Sequence, residues 1–179
     1  LIYLFLLIFF PSFIFLYKYN FIFEVPMKLI EIKITSYDNW IRYNDQSLKD
    51  DFVEYQKKET SKWKTRAKSL EFRFPIFKSL EDFKDALDNA KIIDINKSGL
   101  NIENMTTNTS LSDIKSMVSG YSKPRDVDRI VDGFSKNVKL PLPIILKGKR
   151  GYHIMAGNTR QSTARVLGIK PKALLVDVS

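Results

Sequence analysis

Apolar positions alternate with polar ones over residues 28 to 34, where Ile30, Ile32 and Ile34 share one side, and a strand is expected there. Ser47 followed by Asp50 resembles a capping box with Asp in place of Glu. The helix it opens should carry Leu48, Phe52, Val53 and Tyr55. The stretch KKETSKWKTRAK (57–68) reads as the wet face of a helix with Trp63 as its anchoring ring. The rival reading is a grip on single-stranded nucleic acid by stacking on that ring. Residues 70–77, LEFRFPIF, alternate with Phe72, Phe74 and Ile76 on one side, and Pro75 marks the expected strand as an edge. Ser79 and Asp82 suggest another N-terminal cap, ahead of a helical stripe of Leu80, Phe83, Ala86, Leu87 and Ala90. A strand is expected at 91–95 and a polar linker at 96–110.

The second half is more sharply punctuated. Leu111, Ile114, Met117 and Val118 predict a short helix over 111–119 that stops at Gly120. Pro124 suits the first position of the next helix, which should bury Val127, Ile130, Val131 and Phe134. Two strand-like runs around GKRG (148–151) predict a hairpin. A helix from Thr159 to Leu167 with Gly168 as its stop follows, then a last strand at 173–178. The whole is an α+β chain. Three segments are expected: residues 1–26, an N-terminal α/β region at 27–100 of no evident chemistry, and a C-terminal domain at 101–179.

Residues 1–26 are nearly all Phe, Ile, Leu, Tyr, Lys and Asn, which A/T-rich codons encode, and Met27 opens MKLIEIKI as an ordinary start. The segment therefore reads as an upstream stretch translated by mistake. Its rival is a membrane anchor, since the uncharged run from Leu1 to Tyr17 is near the lower length for a bilayer span.

Composition removes several kinds of chemistry. The 179 residues contain no Cys and one His, so thiolate catalysis, Cys-type zinc sites and multi-histidine metal sites are excluded. No metal-binding set is predicted from side chains. The net charge is +9, and it is uneven. Residues 121–179 hold twelve Lys and Arg against four Asp, a surplus of eight. Such a surplus suits a nucleic-acid or nucleotide partner.

The stretch YHIMAGNTRQSTARVLG (152–168) carries the most specific signal. An apolar strand ends at Ala156–Gly157 and a helix begins at once, with Arg160 in its first turn. A cation there opposes the helix dipole unless something negative lies beside it. The expected anion is a phosphate, held by the backbone N–H groups of the turn at Gly157, Asn158 and Thr159 and by Arg160. A structural alternative pairs Arg160 with Asp128 or Asp177. His153 alternates with Ile154, so one of the two should point inward, His153 as a satisfied polar residue.

PIIL, a hairpin, GYHIMAG and GNTRQSTARVLG together resemble the ParB/sulfiredoxin-like superfamily, in particular the N-terminal domain of ParB-type partition proteins and the ParB-like nuclease domains. The resemblance covers Ser122 to Val178. Its G-x-x-R-x-x-x-A-x-x-x-G pattern falls on Gly157, Arg160, Ala164 and Gly168. It implies a small mixed sheet with packed helices, a phosphate or nucleotide ligand at the turn, and a nucleoside triphosphate with Mg2+ as cofactor. Lys147, Lys149, Arg150 and Arg165 are the expected contacts to nucleic acid.

Departures from the family matter as much. Asn158 stands where a sulfiredoxin has its catalytic Cys, so that activity is excluded. Phosphotransferases of the family depend on a carboxylate near this turn, and Asn158 cannot be a general base. Asp126, Asp128 and Asp132 are the candidate acids for a nuclease or phosphotransferase, with Asp128 and Asp132 expected on one helix face. The resemblance and the codon bias suit a bacterial or phage protein of the cytoplasm.

Overall fold

The structure is a computed structural model that describes residues 39–57, 60–103, 105, 110–120 and 125–179. The segment 1–26, the strand expected at 28–34, Pro124 and part of the 96–110 stretch lie outside the described residues. Among the described residues no helix is long and apolar enough to cross a membrane.

In chain order the elements are β1 (Trp40–Ile41), α1 (Asp45–Lys57), α2 (Thr60–Leu70), α3 (Leu80–Asp88), β2 (Lys91–Asp94), β3 (Ile102–Glu103), α4 (Leu111–Ser119), α5 (Val127–Ser135), β4 (Leu140–Pro141), β5 (Ile144–Lys147), β6 (Tyr152–Ala156), α6 (Asn158–Val166) and β7 (Lys172–Asp177). This is the expected α+β class. β1 and β4 form a short parallel pair, and a second sheet has the order β2-β7-β5-β6-β3. β7 is antiparallel to β2 and parallel to β5, β5 is antiparallel to β6, and β6 is parallel to β3. Elements from both sides of residue 100 thus share one sheet.

Strand alternation divides that sheet into two faces. Ile144, Leu146, Met155, Leu174 and Val176 join a large aromatic core with Phe52, Tyr55, Trp63, Phe77 and Phe83 from the helical side. Ile145, Ile154 and Ala173 point the other way, onto Ile95 and Ile102. Being covered on both faces, β5 reads as the unbroken apolar run PIIL rather than as an alternation. A third cluster, Ile114, Val118 and Val127, joins α4 to α5, and both helices pack on α6.

Several local expectations shift. α1 begins at Asp45, because Asn44 is the cap: its Oδ1 accepts from Ser47 N–H at 2.8 Å while Ser47 Oγ accepts from Asn44 N–H at 2.9 Å. Val53 is 42% exposed and does not belong to the apolar side. No strand forms at 70–77. The chain turns there through a cis Phe74–Pro75 peptide, and the buried hydroxyl of Tyr55 accepts from the N–H groups of Ile76 and Phe77 at 3.0 and 3.3 Å. A side chain thus takes the place of a ladder partner. β3 lies within the expected linker. Gly120 ends α4 in the ordinary right-handed region rather than the left-handed one. α5 starts at Val127 behind Asp126, whose side chain accepts from Arg129 N–H. Ile130 and Val131 in it are only half-buried.

Candidate functional site

The turn begins where β6 ends. Gly157 adopts φ 82° and ψ 16°, a left-handed conformation that side chains disfavour. A Cβ at this position would lie 2.7 Å from Pro143 Cα, so the backbone of the turn also presses against the start of β5. α6 then starts with no side-chain cap. The first N–H groups of a helix have no partner within it, and here no side chain of the cap residue takes them. The strand before Gly157 and the helix after it stand where the sequence places them, the helix running one residue earlier at each end, Asn158–Val166.

The helix itself is unusual in burying polar residues. Thr159, Gln161, Ser162 and Thr163 are all buried, with Gln161 and Thr163 fully so. Gln161 Nε2 donates to Asn158 Oδ1 and to Ser162 Oγ, each at 3.0 Å. The amide oxygen of Asn158 therefore works inside the turn as an acceptor.

Arg160 meets neither Asp128 nor Asp177. Its Nη2 lies 3.6 Å from Asp51 Oδ2, with the two side chains 17% and 18% exposed. This separation is an ion pair but too long for a hydrogen bond. Arg160 Nε is buried with no hydrogen-bond acceptor among the described residues. One helical turn along α1 from Asp51, Glu54 receives two bonds from Arg125 Nη2, at 2.8 and 2.7 Å. Two acids of α1 thus face two arginines, Arg125 just ahead of α5 and Arg160 in the first turn of α6. Burial raises the Asp51 carboxyl above its ordinary pKa, a push that the Arg160 charge opposes but does not cancel. Burial likewise lowers Arg160 from its ordinary value, against the pull of Asp51.

No protein-family model, curated protein or solved structure matches the chain. The resemblance to the ParB/sulfiredoxin-like superfamily therefore rests on its strand–turn–helix residues.

The other expected site residues are dispersed. Lys147 Nζ pairs with Asp177 Oδ2 at 2.6 Å, and Arg150 Nε with Glu71 Oε1 at 2.5 Å. Arg165 donates to Asn96 Oδ1 from Nε and Nη2, at 3.2 and 2.9 Å. Lys149 stands exposed at the hairpin tip. The aspartates of α5 do not form a shared pair: Asp126 caps the helix, Asp128 binds Lys115 and Asp132 binds Lys136. His153 and Ile154 are both buried, on opposite faces, and the His153 ring meets Trp63 edge-on at 5.5 Å.

Asp51 and Glu54 escaped the sequence reading. One signal pointed to Asp51: it falls at the i+3 position from Leu48 and one before Phe52, inside the stripe that α1 buries. An acid on an apolar face is expected to need a partner.

Proposed function

We propose that the protein binds a phosphate group, of nucleic acid or of a nucleoside triphosphate, at the N-terminus of α6. The observation that carries this reading is a helix that starts without a side-chain cap, directly after a left-handed glycine wedged against Pro143. Such a start offers backbone N–H groups and the positive end of the helix dipole to an anion. Arg160 adds positive charge beneath the turn. Since Asp51 holds its guanidinium, the backbone donors carry most of the contact. Among the described residues no group of three His, Asp or Glu side chains could hold a metal ion alone. A Mg2+ would arrive on the triphosphate, a mode that needs few protein ligands. The protein would then act in the cytoplasm of a bacterial or phage-infected cell, with a ParB-like domain as its binding module.

Amide chemical shifts test this reading. Titration with a magnesium nucleoside triphosphate, and separately with inorganic pyrophosphate, should move the amides of Asn158, Thr159 and Arg160 first. Saturable shifts elsewhere with these three unmoved would overturn it.

One observation favours an enzymatic alternative, a phosphotransferase or nuclease. α1 brings a carboxylate to the turn from outside the resembling segment, and burial raises the pKa of that Asp51 carboxyl. A raised carboxyl beside a phosphate site suits a general base. Phosphate release from a triphosphate that Asp51→Asn abolishes, with nucleotide binding retained, would favour this alternative.

A further inference from the structure

α2 carries four basic residues, Lys62, Lys64, Arg66 and Lys68, and no acid. Helical spacing arranges them as two like-charged pairs four residues apart, Lys62 with Arg66 and Lys64 with Lys68. Like charges at that spacing weaken a helix, and nothing within α2 offsets them. Between the two pairs runs the buried stripe of Trp63 and Ala67, 4% exposed each. Lys62, Lys64 and Lys68 are exposed. Lys64 Nζ lies 6.0 Å from the centre of the Phe74 ring, while Lys62 and Lys68 have no acidic partner among the described residues.

The fold adds a second basic element to this helix. Arg150 N–H donates to Leu70 C=O at 3.2 Å, and the Arg150 side chain pairs with Glu71. Gly148 makes the approach possible, since a Cβ there would sit 2.2 Å from Leu70 O and 2.3 Å from Phe72 Cδ1. The β5–β6 hairpin is thereby pinned on the C-terminal end of α2. Lys149, exposed and also without an acidic partner among the described residues, then stands beside the last turn that holds Lys68. Glu71, the lone acid from residue 60 to residue 78, is already neutralised by Arg150.

We propose that α2 and the hairpin tip form one surface that binds the sugar–phosphate backbone of duplex nucleic acid, with Lys62, Lys64, Lys68 and Lys149 as the phosphate contacts. Two observations select this partner. Base stacking on a single strand needs a freely exposed ring, whereas Trp63 is buried and Phe74, the half-exposed ring beside α2, has Lys64 near it. Insertion into an anionic membrane needs exposed apolar side chains beside the lysines, and the large exposed apolar residues, Val53, Ile92 and Val138, all lie off α2. The surface is distinct from the α6 turn, so a failure of nucleotide binding at the turn leaves it standing.

The test is fluorescence anisotropy of the full chain with a labelled mixed-sequence DNA duplex, between about 50 and about 200 mM salt. Each phosphate contact contributes about 0.9 to the slope of log affinity against log salt. Changing Lys62, Lys64, Lys68 and Lys149 together to Ser should lower that slope by about 3.6 and weaken binding at the lowest salt by at least about a hundredfold. Melting of the variant checks that it is folded. If it is not, Lys149→Ser alone and the Lys64→Ser, Lys68→Ser pair should lower the slope by about 0.9 and 1.8. An unchanged slope in a folded variant overturns the proposal. So does tighter binding to a single strand with quenching of Trp fluorescence, or tighter binding to phosphatidylserine vesicles than to the duplex.

Discussion

Removing Arg160 should destabilise the fold through the acid it leaves behind. At 3.6 Å from Asp51, its attraction is about 332/(20 × 3.6), or roughly 4.6 kcal/mol, at an effective dielectric of about 20. Both side chains are less than a fifth exposed, so water screens the pair weakly. The net value is smaller, because each charge has lost hydration and the contact lacks a hydrogen bond. Breaking a buried pair by deleting one partner costs about 3–5 kcal/mol. Arg125, which also lowers the Asp51 pKa, offsets part of that loss. Arg160→Ala should therefore lower stability by about 2–3 kcal/mol. Changing both partners together, Asp51→Leu with Arg160→Met, should leave stability within about 1 kcal/mol of the parent, since apolar replacements of a buried pair are often neutral. Urea unfolding of both singles and the double gives the cycle. Arg160→Met alone adds a pH signature. The folded-state pKa of Asp51 is already above its unfolded value, and loss of the cation raises it further. The folded state then takes up the proton first, so this group's stabilisation grows as pH falls through its folded value. Stability of Arg160→Met should rise on mild acidification relative to the parent. A single variant within about 0.5 kcal/mol of the parent, with no such rise, would refute the reasoning.

Gly157→Ala should lower the melting temperature, because alanine disfavours φ 82° and its Cβ would meet Pro143 at 2.7 Å; about 1–3 kcal/mol is expected from chemical denaturation. Tyr55→Phe leaves the N–H groups of Ile76 and Phe77 without their acceptor, a loss of about 2–3 kcal/mol measurable by the same method. Asp177 is held at a pKa of about 2, below the ordinary 3.8, by Lys147 and then Ser179. Its stabilisation is present above the ordinary value and disappears as pH falls towards 2, so Asp177→Asn should flatten the acid limb of the stability curve in that window.

The C-terminal elements were legible because each has a local marker. The PIIL run is buried on both faces, GKRG can only turn, and Gly157 and Gly168 both take positive φ. The capping Ser79 was equally plain, since its side chain accepts from the N–H three residues on, whereas Ser110, which caps α4 in the same way, lay hidden in the polar stretch read as a linker. Local pattern misled where a distant group decides. LEFRFPIF alternates like a strand, but the hydroxyl that satisfies its backbone comes from Tyr55, about twenty residues earlier. Ser47 has the composition of a cap, yet Asn44 takes that role and makes Ser47 its reciprocal partner. At the turn, the sequence identified the cation in the first helical turn as a problem needing an anion. The anion that the fold supplies is Asp51, which lies over a hundred residues away and is recognisable only as an acid on an apolar stripe.

The position of β7 constrains how the chain can be made. β7 lies between β2 and β5, so the strands of the N-terminal region and those of the hairpin do not meet until residue 177 has cleared the ribosome. During synthesis β2 emerges beside the aromatic helices without the strand it pairs with, and the side of β5 that β7 will cover is open too. Nascent chains stalled before Lys172 should therefore be targets for chaperones that shield exposed strands, and release of the last strand should close both edges in one step.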